Sequence, residues 1–95
     1  MAKSAIYGLV YPWIQNTSLT EDRGAQASLV FLGLFEKYKK VDFWADSDAQ
    51  KQVKNAIDDY YYDVLKKQYG LSLSIDQVDT FIDKLMSLAQ RRQIV

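Results

Sequence analysis

Two stretches of the chain place apolar residues at the spacing of one helix face, and both open on a polar cap. In the later stretch Ile75, Val78, Ile82, Leu85 and Ala89 step by three, four, three and four, the repeat of an amphipathic helix. The opposite face carries Asp76, Thr80, Asp83, Ser87 and Arg91. Ser74-Ile75-Asp76-Gln77 has the spacing of a capping box, with Leu73 and Val78 at the positions of a hydrophobic staple. Arg91 and Arg92 fall in the last turn, where the helix dipole favours cations. In the middle stretch Ser47-Asp48-Ala49-Gln50 repeats the capping box, and Val53, Ile57, Tyr60 and Val64 form the stripe. The pattern predicts one helix over 48–69, closed by Gly70 in a left-handed conformation. Residues 71–74 are then a short turn, and the two helices form an antiparallel hairpin.

An earlier helix is expected from Thr20, with Glu21 and Asp22 in its first turn, to about Lys40. Its middle, LVFLGLF at 29–35, is apolar nearly all round, the mark of a central, buried helix. At the N-terminus the pattern predicts a short helix over 2–11, stopped by Pro12. Ile14 to Ser18 (IQNTS) reads as a loop. The fold class is therefore all-α: a small helical bundle with a C-terminal antiparallel helix hairpin, residues 1–95 forming one helical domain or a piece of a longer chain.

Composition narrows the chemistry. The 95 residues are 48% hydrophobic and 25% charged, with one Pro and four Gly, as in a globular domain with long regular elements. There is no Cys and no His, which removes disulfides, thiolate metal sites, cysteine nucleophiles and imidazole acid–base catalysis. Twelve basic residues balance twelve acidic ones, so no net field draws in nucleic acid or anionic membrane. The longest apolar run is far short of the roughly 20 residues that cross a bilayer. The 5–14 run lacks a small-x-small cleavage pattern. The expected location is intracellular, in the cytoplasm.

Asp42, Asp46 and Asp48 are the densest acids in a loop, yet their spacing does not match an EF-hand, and helix capping accounts for them. Asp58, Asp59 and Asp63 fan around a helix instead of converging. Phosphate-loop glycine patterns are absent. Neither a catalytic residue, a metal site nor a cofactor is expected. Lys37, Lys39 and Lys40 around Tyr38, with Lys66 and Lys67 before Tyr69, are the candidate nucleic-acid contacts, although both clusters also suit helix C-termini. Seven Tyr, four Phe and two Trp exceed what a small core holds and point to protein contact. The middle helix has a second apolar stripe, Tyr62, Leu65 and Tyr69, opposite the first. A helix apolar on two faces is either covered by the N-terminal segment, through Trp13 or Trp44, or docks a partner. Tyr62, Leu65, Tyr69, Trp13 and Trp44 are the candidate partner-binding residues.

Val41-Asp42-Phe43, then Val53, Ile57, Val64-Leu65 and Tyr69-Gly70, then a helix through Val78, Ile82 and Leu85, resemble the far C-terminal region of the R (motor and nuclease) subunits of type I restriction-modification enzymes. The resemblance covers 41–89. It implies that the parent is an ATP-dependent endonuclease whose helicase and nuclease motifs lie elsewhere. It also implies that this helical region docks the motor subunit onto the methyltransferase and specificity subunits, with DNA reached only through the parent complex. The family's helix is rich in Arg, whereas this one carries Asp58-Asp59-Tyr60-Tyr61-Tyr62-Asp63.

Overall fold

The computed structural model of the chain describes residues 2–16 and 19–92. Four helices build it: α1 Ala2–Asn16, α2 Glu21–Tyr38, α3 Ser47–Tyr60 and α4 Ile75–Arg91. A 3₁₀ turn, Phe43–Ala45, precedes α3, and a π-helical segment, Tyr61–Lys66, prolongs it. Among the described residues the architecture is a helical bundle without strands.

The N-terminal boundary differs from the expected one. Pro12 lies inside α1, and Ile14, Gln15 and Asn16, expected in a loop, are helical; Thr17 and Ser18 lie outside the described residues. Proline removes one backbone donor and its ring crowds the carbonyl four residues earlier. Here that residue is Gly8, and both Gly8 and Pro12 are exposed, so the defect sits on the wet side of the helix.

α1 and α2 pack closely because α2 presents Gly24, Ala27 and Ser28 to it, all buried. A Cβ at Gly24 would come 2.7 Å from Ile14 Cδ1 and 3.5 Å from Val10 Cγ1. The buried Ser28 hydroxyl donates to the Gly24 carbonyl at 2.9 Å, so no polar atom is left unpaired there. Thr20 caps α2 as expected, its Oγ1 accepting from the Arg23 N–H at 3.2 Å. The helix is not buried all round: Phe31 and Phe35 are fully covered, while Leu29 stays 50% exposed.

Lys40 Nζ pairs with Asp46 at 2.6 Å at one end of α2, and the Arg23 guanidinium lies 4.4 Å from the Tyr69 ring at the other. α3 and its π segment therefore return along α2. The expected Ser47 cap is replaced by Asp46, whose carboxylate accepts from the N–H groups of Asp48 and Ala49 at 3.0 and 3.1 Å. Gln50 instead donates to the Phe43 carbonyl at 3.1 Å. The Lys40 ammonium, then the Ala49 N–H, hold the Asp46 carboxyl below its ordinary range.

The largest departure from the 3.6-residue pattern is in the π segment. Val53, Ile57, Tyr61 and Leu65 are buried, a strict four-residue spacing. In an α-helix each such step drifts about 40° around the axis. The wider i→i+5 turns of the π segment take up that drift, as in the Tyr69 N–H to Val64 carbonyl bond at 3.1 Å. Tyr60 and Val64, expected in the stripe, are only half-buried. Gly70 then closes the helix at φ 74°, and crossed bonds from Gly70 N–H to Lys66 and Leu71 N–H to Leu65 satisfy the end carbonyls. Leu71, expected in a plain turn, is buried. The Tyr61 hydroxyl accepts from the Leu73 N–H at 2.8 Å and donates to the Leu71 carbonyl at 3.2 Å.

The Ser74–Gln77 capping box is formed on both sides, at 2.8 and 3.1 Å. Val78, Ile82, Leu85 and Ala89 are buried as the repeat requires, joined by Phe81, Met86 and Leu88. Ile75 departs from it: in the first turn, beyond the edge of the core, it is 71% exposed.

Candidate functional site

An open groove of about 540 Å³ runs between α1 and α4. Gly8, Leu9, Pro12 and Trp13 line it from α1, Ser72 and Leu73 close one end, and Asp76, Gln77, Thr80, Phe81 and Lys84 line it from α4. Its floor is aromatic: the Trp13 and Phe81 rings lie 4.4 Å apart, and Phe81 packs at 5.4 Å on the buried Phe31. Asp76, Thr80 and Lys84 fall four residues apart on α4, so they follow the groove's length.

The stripe Tyr62–Leu65–Tyr69 is not a surface. Leu65 is completely buried, a correction that follows from the π segment, which turns it toward Val53 and Ile57. Tyr69 is half-buried beneath Arg23. Tyr62 alone of the three is exposed, edge-on to Tyr61 at 4.9 Å and beside Lys66 at 5.4 Å. The Arg23 guanidinium of α2 covers the Tyr69 ring. Trp13 sits half-buried in the groove, and Trp44 lies edge-on to Phe43 at 4.8 Å beside a second hollow of about 470 Å³. Next to that hollow Val41 is 84% exposed and Asp42 takes a left-handed φ of 62°.

The basic clusters do not form one track. Lys66 and Lys67 lie near the Arg23 end of the bundle, and Lys37, Lys39 and Lys40 at the other end of α2. Arg23 and Lys37 stand fourteen positions apart on α2, about 21 Å of helix rise. Lys40 is also engaged by Asp46, and Lys37 leans over Tyr38 at 5.4 Å.

Among the described residues no group of three or more acids is arranged to hold a metal ion. Asp46, one of the three loop acids, is occupied by its cap and by Lys40. Asp58 shares an open groove with Lys54, Asn55, Asp79, Ile82 and Asp83. Burial first, then the charges of Asp59 and Asp79, raise its carboxyl above the ordinary value. Ionised Asp58 therefore opposes folding at neutral pH, and the cost is relieved as pH falls through its folded-state value. Asp58→Asn should stabilise the domain at pH 7 by about 0.5 kcal/mol or less, with no gain at pH 3. Equal effects at both pH values in thermal melts would contradict this.

Sequence reasoning found Trp13 but missed the rest of the groove. Asp76 and Thr80 read as one wet face, and only the packing of α1 across α4 turns that face into a wall. Fold and surface together define a helical bundle with an aromatic-floored groove. No family model matches the chain, and no curated protein or solved structure matches it. No helix among the described residues is long and apolar enough to cross a membrane.

Proposed function

We propose that this chain is a non-catalytic helical domain that docks onto another protein through the α1/α4 groove. One observation carries the reading: an open groove keeps the Trp13–Phe81 pair at its floor. Tryptophan in a partly dry pocket supplies more binding energy than most residues do, because it offers a large contact area at little entropic cost. The open groove at Asp58 is lined almost wholly by polar and charged side chains and lacks the apolar lining that small-molecule sites carry. The resemblance of 41–89 to type I restriction R subunits supplies the candidate partners, the methyltransferase and specificity subunits of such a complex.

Trp44→Phe leaves Trp13 as the single tryptophan, and its emission should shift to the blue as a candidate partner subunit is titrated in. Thr80→Arg, a change at an exposed position in the middle of the groove, should abolish that shift and lower assembly at least about tenfold, with melting unchanged. Full assembly of the Thr80→Arg protein would refute docking through this groove.

A further inference from the structure

The groove is electrically lopsided, and that asymmetry identifies the chemistry of its occupant. Asp76 and Lys84 are its charged lining residues, both exposed and neither in an ion pair among the described residues. They stand eight positions apart on α4, about 12 Å of helix rise. Between the two charges lie the Trp13–Phe81 floor and the polar side chains of Gln77 and Thr80, with Ser72 at one end of the groove.

Resting on the docking reading above, we infer that the groove takes a short extended segment of a partner protein. Its pattern is base–x–apolar–x–acid, with the base against Asp76 and the acid against Lys84. The polar lining selects an extended segment over a helix. An extended backbone needs outside partners for its N–H and C=O groups, and the hydroxyls of Ser72 and Thr80 and the side-chain N–H of Gln77 offer them, whereas a helix satisfies its own. Extended chain rises about 3.3 Å per residue, so residues four apart span the two charges. Their side chains and that of the residue midway point to the same face. The central side chain is thereby delivered onto the aromatic floor.

The test uses three synthetic peptides differing only in the outer residues: Gly-Arg-Ser-Leu-Ser-Glu-Gly, the same peptide with Arg at both outer positions, and the same with Glu at both. Because one charge of each sign is matched in either chain direction, the comparison does not depend on the orientation of the bound peptide. Titrated into the isotope-labelled protein and followed by amide and indole resonances, the mixed-charge peptide should shift Ser72, Thr80 and the Trp13 indole. It should bind about fivefold more tightly than either single-sign peptide, and added salt should shrink that ratio. With Lys84→Glu, the doubly basic peptide should rank first. Equal binding of all three peptides in the groove would overturn the charge pattern while leaving groove docking intact. No response at groove resonances would overturn the extended-segment inference, with docking itself decided separately by the Trp13 emission assay.

Discussion

Phe31→Ala should bring the domain close to the edge of folding. Phe31 is completely buried and joins three helices through its ring, edge-on to Tyr60 at 5.5 Å and tilted on Phe81 at 5.4 Å. Phe81 in turn carries Trp13, so the loss would reach the groove floor. The surrounding wall of Ile57, Tyr61, Leu73, Val78 and Ile82 encloses a void of only about 10 Å³ and has little room in which to collapse. Truncating a buried Phe costs about 3–5 kcal/mol, against a total of about 5–15 for a domain of this size. The melting temperature should fall by on the order of 20 °C. Leu29→Ala, two residues earlier on the same helix but at a half-exposed site, should change stability by about 0.5 kcal/mol or less. Comparable losses in urea melts of the two variants would mean that the phase of α2 is wrong.

That comparison also marks where the sequence stops being informative. Within 29–35 every residue but Gly33 is apolar, so periodicity cannot say whether Leu29 or Phe31 faces inward. Tertiary contact with Tyr60 and Phe81 decides it. Signals contained within four residues survive folding best: the Ser74–Gln77 box, the Thr20 cap and the left-handed Gly70 all form where the sequence puts them. Ser47 fails the same test because Asp46, one residue upstream, offers a charged acceptor that two N–H groups share and that a hydroxyl does not match. Pro12 fails as a helix stop because the residue its ring approaches is an exposed glycine. The docking candidates split on the same line. Trp13 is legible as an aromatic beside a proline, but its partners Phe81, Thr80 and Lys84 lie some seventy residues away, and no local pattern links them.

The second large effect tests the π segment through the bond that anchors it. Tyr61→Phe removes only a hydroxyl, but that oxygen takes the Leu73 N–H at 2.8 Å and gives its proton to the Leu71 carbonyl at 3.2 Å. Both groups belong to the turn between the π segment and α4, where no regular ladder can replace the bond. Leaving a half-buried N–H without a partner costs about 1–3 kcal/mol, or a fall of roughly 4–20 °C in melting temperature for a domain of this length. The Leu73 amide should also exchange with solvent faster, because the turn then opens without the rest of the bundle. Tyr62→Phe, the neighbouring change, removes a hydroxyl at an exposed ring and should cost about 0.5 kcal/mol or less. The two tyrosines are interchangeable in the sequence, and a continuous 3.6-residue helix would put Tyr60 and Val64 inward, with Tyr62 and Leu65 outward. Only the widened turns bring Tyr61 under Leu73 and Leu65 into the core. If Tyr61→Phe proves as harmless as Tyr62→Phe, the helix continues unwidened past Tyr60. The stripe Tyr62–Leu65–Tyr69 would then be a free face, and the docking surface would have to be sought there instead of at Trp13.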